Sequence, residues 1–219
     1  MLSKNDRMMG ILGFLVLVIA LMGSAMFEGE EPEGDSNLFY VKYTPTSEII
    51  HDESGYTGEG EATELEVDVT LNNLTSIDFV LTWTDDDTSE ANVFGLGVQN
   101  QPDTFRLTII SPEGVENTSE AESDINSKEG IILITVVFQE VKTNVTDELT
   151  SSTEEALADE LTTEFGTGNW TVTVECVEAG DSETTTGITT DEDDGNDWHL
   201  EVAGHAYTAE IGEGEIPTI

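Results

Sequence analysis

The sequence predicts a mainly β, antiparallel sandwich with one inserted helix and an N-terminal transmembrane helix. Three observations carry that expectation. Apolar and polar residues alternate over several short runs, the signature of strands with one buried face. The clearest is GTGNWTVTVECVEAGD at 166–181, where Trp170, Val172, Val174 and Cys176 share a face between two glycines and a Gly180-Asp181 turn. Thr, Val and Ile dominate the runs, as pleated packing prefers. Lastly, Lys4 and Arg7 precede an uncharged apolar run at 8–27, which Glu28, Glu30, Glu31 and Glu33 follow. A helix of about 20 residues spans roughly 30 Å, the depth of a bilayer's hydrocarbon core. The flanking charges place its N-terminus inside, giving a single-pass protein with an extracellular C-terminal domain. A signal peptide cleaved near Ala25 is the competing reading and gives a secreted domain. Both export residues 28–219.

A chain of 219 residues suits one sizeable domain plus a short anchor. Its 47 acidic and 6 basic residues give a net charge of -41. Such a surface repels nucleic acid, whose recognition depends on Lys and Arg, and it disfavours anionic lipid surfaces. The plain reading is a solvated acidic surface suited to high salt. The sharper one is divalent-cation binding by some carboxylates. Cys176 is the only cysteine, so no intrachain disulfide forms, and its place in the alternation makes it a core thiol.

Taken in order, residues 28–61 read as an acidic juxtamembrane linker, with a possible first strand at 38–43 and loop from 44 onward. The sandwich is expected over 62–211. Leu65, Val67, Val69 and Leu71 alternate, Asn72-Asn73 marks a turn, and Ile77, Phe79, Leu81 and Trp83 alternate again, which suggests an antiparallel pair. Phe105, Leu107 and Ile109 form a further strand that closes on the turn Ser111-Pro112-Glu113-Gly114. Residues 115–129 are polar and read as loop. The run GIILITVVFQEV at 130–141 suits a central strand covered on both faces. Ser152 with Glu155 makes a capping box, so a helix is expected at about 152–165 with Leu157, Leu161 and Phe165 against the sheet and Gly166 as its stop. Trp198, Leu200 and Val202 face one way in the last strand, opposite His199, Glu201 and Ala203, and 212–219 read as a flexible tail.

The series TWTDDD, DTFRLTIISPEG, GTGNWTVTVECVEAGD and NDWHLEV resembles the P domain that accompanies subtilisin-like proprotein convertases. The matching residues are Trp83, Ser111-Pro112-Glu113-Gly114, Trp170, Gly180-Asp181, and Trp198 with Leu200, over roughly 75–203. The resemblance implies a jelly-roll β-sandwich of the galactose-binding-like type, and it is nearly silent on activity. The chain contains no protease domain for such a sandwich to serve.

The histidines are His51, His199 and His205, and no nucleophile elbow, P-loop, HExxH or cysteine-cluster pattern accompanies them. An enzyme is not expected. The best site signal is the acidic loop at 191–197. Asp191, Asp193 and Asp197, with Asp181 brought near by pairing of the 166–181 strand with the closing strand, form a candidate Ca²⁺ site, and Asp85 and Asp87 are more distant candidates. A solvated loop is the simpler reading. Asn73, Asn117, Asn144 and Asn169 open glycosylation sequons, with Asn169 expected to be the least accessible. The functional expectation is a surface binding module for a cell-surface protein or glycan, anchored through residues 8–27. The alternative is a structural subunit of a surface filament or envelope layer. Gly10 followed by ILGFLVLVIA resembles a pilin-type processing point, although the glutamate many such families carry near the start of the mature helix is absent.

Overall fold

The computed structural model describes residues 37–85, 98–124, 128–140, 146–151, 153–180, 182–184, 189–191 and 194–214. Among these residues twelve strands and one helix follow in chain order: β1 (Asn37–Gly58), β2 (Ala62–Val69), β3 (Leu74–Thr84), β4 (Val98–Asn100), β5 (Thr104–Ile110), β6 (Glu116–Glu122), β7 (Glu129–Val137), β8 (Thr146–Ser151), α1 (Glu154–Leu161), β9 (Gly168–Glu178), β10 (Ser182–Thr184), β11 (Thr189–Asp191) and β12 (Gly195–Glu213). A five-stranded sheet runs β7-β3-β12-β1-β8, a four-stranded sheet runs β2-β9-β5-β6, and a ribbon runs β11-β10-β4. Every strand pair is antiparallel.

Alternation decides which side of each strand is buried. Ile77, Phe79, Leu81 and Trp83 from β3 and Leu200 and Val202 from β12 meet Phe105, Leu107, Ile109, Trp170, Val172, Val174 and Cys176 from the opposing sheet in one core. Trp170 sits at its centre, 5.3 Å from the Phe79 ring, and its Nε1 donates to Gly166 O at 2.9 Å. One register row crosses four strands as Gly130, Trp83, Trp198 and Gly55. A Cβ on Gly130 would lie 1.9 Å from Trp83, and one on Gly55 would lie 2.4 Å from Trp198, so each indole occupies space that only glycine leaves free. Trp198 Nε1 donates to Thr57 Oγ1, which meets Thr63 Oγ1 on β2 and links the sheets.

A second, smaller core lies where β1 and β12 run on beyond β3. Phe39, Val41, Tyr43 and Tyr207 pack there with Leu157 of α1. Burial pushes the Tyr43 phenol above its ordinary pKa, with the charge and hydrogen bond of Asp147 adding to the effect.

Several expectations are corrected. Residues 44–58, read as loop, belong to β1, so the sandwich takes in residues 37–58 ahead of 62; this strand is mostly polar because only its first residues and its end are covered. β2 and β3 lie in opposite sheets, and the Asn73 turn (φ 58°) carries the chain across the core instead of closing a hairpin. The polar segment after Gly114 holds the edge strand β6, whose polarity reflects exposure. The apolar run after Glu129 forms an edge strand, not a doubly covered one. α1 is capped by Thr153, whose hydroxyl accepts from Ala156 N, and it ends at Leu161, leaving Phe165 exposed. The C-terminal strand continues to Glu213, two residues into the expected tail. The anchor reading at 8–27 lies outside the described residues, and among the described residues no helix is long and apolar enough to cross a membrane.

Candidate functional site

The outward faces of the two main sheets differ in chemistry. β2 presents Glu64, Glu66 and Asp68 as exposed residues, while Arg106 on β5 is held between Glu120 at 2.6 Å and Glu175 at 2.8 Å. Thr108 and Thr118 hydroxyls meet at 3.0 Å between β5 and β6. That face is flat, acidic and hydroxylated. Most exposed large apolar side chains lie on the other sheet: Leu38, Ile49 and Tyr56 on β1, and Ile131, Leu133 and Val137 on β7. Val115 and Phe165 lie outside the strands, so among the described residues the four-stranded sheet carries none.

One end of the five-stranded sheet is hollowed. Ser54, Tyr56, Thr82, Thr84, Asp197 and His199 line an open depression of about 700 Å³ over β1, β12 and β3, with Trp83 and Trp198 beneath it. A second depression of about 550 Å³ shares Thr82, Trp83 and Thr84 and continues to Glu129 and Ile131, making one groove across four strands. The antiparallel registers Ser54↔His199 and His199↔Thr82 place these side chains abreast. Ser54 Oγ lies 3.1 Å from His199 Nδ1, and Asp52 Oδ1 lies 3.7 Å from the same nitrogen. A hydrolytic relay needs hydroxyl and carboxylate on opposite ring nitrogens, so this trio orients the imidazole without forming one. His205 Nε2 meets Asp78 Oδ2 at 3.0 Å, Thr135 donates to the other Asp78 oxygen at 2.7 Å, and His51 meets Glu53 at 3.0 Å. Each histidine of the chain therefore stands beside a carboxylate. Hydroxyls, an imidazole, a half-exposed phenol and carboxylate acceptors can bind a neutral hydroxyl-rich ligand and repel an anion.

Of the six predicted Ca²⁺ ligands, the structure describes the side chains of Asp85 and Asp197. β9 lies between β2 and β5 and does not pair with β12, so the pairing expected to bring Asp181 toward 191–197 is absent. The β10–β11 ribbon instead places Asp191 opposite Ser182. Asp197 is exposed at the groove, and Asp85 is buried at the end of β3, where its N–H donates to Lys128 O at 2.8 Å. Asp87, Asp181 and Asp193 lie outside the described residues, and among those described no cluster of three or more metal-ligating side chains occurs. Of the sequons, Asn73 Oδ1 accepts from Thr163 N at 2.8 Å, while Asn117 and Asn169 are exposed, the latter against expectation; Asn144 lies outside the described residues.

Sequence reasoning missed Asp103, which is fully buried. Its carboxylate accepts from Asn196 Nδ2, and its N–H donates to Ser123 Oγ at 3.1 Å, clipping together the starts of β5 and β12 and the end of β6. The sequence signal was slight: an aspartate after a proline, and an asparagine 93 positions away.

No protein-family profile and no curated protein matches the chain. Among solved structures it is similar to a GH115 4-O-methyl-α-glucuronidase, BtGH115A (TM-score 0.31, 7% identity, covering 68% of this chain and 14% of that one). It is also similar to the Macrobrachium rosenbergii nodavirus particle protein (0.29, 8%, 78% and 96%). A third is the carbohydrate-binding module TmCBM61, solved with β-1,4-galactotriose (0.25, 9%, 77% and 88%). The chain spans about 14% of the glucuronidase's length. Overlaps this low identify no ligand or partner for it.

Proposed function

We propose that the chain is a membrane-anchored, outward-facing binding module that holds a neutral, hydroxyl-rich ligand, a cell-surface glycan, in the groove of its five-stranded sheet. The observation that carries the reading is the groove itself, an open depression of about 700 Å³ bordered by Tyr56, Ser54, Thr82, Thr84 and His199. Tyr56 offers a rigid aromatic face for stacking on a sugar ring, and the hydroxyls and imidazole supply paired donors and acceptors. The net charge of -41 argues against nucleic acid and other polyanions as ligands. The fold is further read as a P-domain-like jelly roll. Numbering β1, β2, β3, β5, β6, β7, β9 and β12 as one to eight, the sheets run 6-3-8-1 and 2-7-4-5, the order of two interleaved Greek keys. Residues 8–27 supply the anchor in this reading. The acidic loop is taken as solvated, and calorimetry showing saturable Ca²⁺ binding would replace that view with a Ca²⁺-stabilised module.

The test is affinity measurement with the full-length chain in mild detergent against neutral polysaccharides and polyanions. Binding to a neutral polysaccharide is expected, weakened by Tyr56→Ala and His199→Ala and unchanged by Glu66→Ala on the opposite sheet. Absence of neutral-polysaccharide binding, or indifference to Tyr56→Ala, overturns the proposal.

A further inference from the structure

Among the described residues the two main sheets end in four edge strands, and three carry acids along their length: Glu64, Glu66 and Asp68 on β2, Glu116, Glu120 and Glu122 on β6, and Asp147 and Glu148 on β8. Charges on an edge keep other strands from adding to it. β7 differs. Its sequence is EGIILITVV, charged only at its first residue and lacking the lysine, proline or bulge that ordinarily blunts an edge. Ile131, Leu133 and Val137 stand 62%, 58% and 70% exposed on its outward side.

The backbone phase of β7 follows from its flanks. Asp85 N donates to Lys128 O, and Phe138 N donates to Thr75 O at 2.9 Å; both pairs continue the β3–β7 register. Even-numbered residues of β7 therefore bond to β3, while the N–H and C=O of Ile131, Leu133, Thr135 and Val137 point to the open edge. The residues with outward apolar side chains are also those whose backbone groups face the open side.

We infer that β7 is a self-association edge, pairing antiparallel with β7 of a second copy across a two-fold axis at Leu133. A two-fold contact must bring one patch against itself, and this strip is self-complementary. Full overlap sets Leu133 opposite Leu133, Ile131 opposite Thr135 and Glu129 opposite Val137, so no like charges face each other. In a chain of net charge -41, the other three edges would oppose acid to acid. The joined sheets form a continuous outer face backed by Val80, the register partner of Leu133. Pairing closes after two copies and leaves the groove's β1 end open. An edge contact of this length is small, so the dimer is weak and depends on concentration. High salt strengthens it by screening the repulsion between two acidic bodies.

The test uses the full-length chain in mild detergent, with sedimentation across a concentration series at low and high salt. A monomer–dimer equilibrium that tightens with salt is expected, and Leu133→Lys weakens it at least about ten-fold because the two lysines face each other. Cysteine scanning reads the register, since directly opposed Cα atoms lie about 5.5 Å apart, within disulfide reach. Leu133→Cys crosslinks to itself; Ile131→Cys does not, but it crosslinks when mixed with Thr135→Cys. The native Cys176 is buried and does not interfere. A monomer at every concentration and salt, a dimer indifferent to Leu133→Lys, or equal self-crosslinking of both single cysteine variants overturns the inference.

Discussion

Gly130→Ala is the substitution that most directly probes how the two sheets close on each other. The added Cβ would lie 1.9 Å from Trp83 Cε2, about 1.6 Å short of an ordinary carbon contact of about 3.5 Å. The indole cannot simply retreat, because Trp83 is buried and the Phe105 ring packs against it with centroids 4.9 Å apart. Overpacking of this kind costs about 1–3 kcal/mol. Alanine recovers about 0.5–1 kcal/mol by narrowing the unfolded ensemble. An overlap this deep lies in the upper part of the overpacking range, about 2–3 kcal/mol, so the net loss is about 1–2.5 kcal/mol and the Tm fall roughly 2–10 °C for a domain of this size. The assay is thermal unfolding followed by tryptophan fluorescence and near-ultraviolet circular dichroism, both of which report displacement of the indole. Gly114→Ala is the control: with φ 80° and no atom within 4 Å, it pays a backbone penalty of about 1–2 kcal/mol and leaves the tryptophan spectrum unchanged. A Gly130→Ala protein as stable as its parent, with a native spectrum, refutes the placement of Trp83 over β7.

Three further outcomes are expected. Asn196→Leu removes a donor from the buried Asp103 carboxylate and lowers stability by about 1–3 kcal/mol, measured by urea denaturation. Tyr43 has a raised pKa in the folded state, so its contribution to stability is complete below about pH 10 and is lost as pH rises toward the folded value. Urea midpoints on the alkaline side should therefore fall less steeply in Tyr43→Phe than in the parent. Leu157→Ala empties the small core under α1 at a cost of about 2–5 kcal/mol. Amide exchange should then accelerate in α1 and in the 37–43 end of β1 before it does so in β9.

The buried faces of five strands were legible because alternation is a local signal: Val67 and Val69, Ile77 to Trp83, Phe105 to Ile109, Trp170 to Cys176, and Trp198 to Val202 all face the core. Partnership was not legible, since alternation says which side of a strand is buried but not which strand lies beside it. That is why β2 and β3 looked like a hairpin although each belongs to a different sheet. Only the 38–43 start of β1 was legible, because its long middle stretch is exposed and carries no alternation, and β7 misled because its outward residues are apolar at the sheet's edge. The groove had no local signature. Ser54, Thr82 and His199 are ordinary outward polar positions on three strands, and only the register brings them abreast. Acidic residues drew attention to 191–197, and of that stretch's described residues Asn196 and Asp197 reach the groove lining.

The central claim is that the outer face of the five-stranded sheet, at its β1–β12–β3 end, is the surface that meets the ligand. Hydroxyl-radical footprinting of the full-length chain, free and bound to surface material from its own cell, tests it most directly. The account predicts protection of Tyr56 and His199, with Ile110 and Val177 on the four-stranded sheet unchanged. Protection of Ile110 and Val177 with Tyr56 and His199 still fully reactive would contradict it.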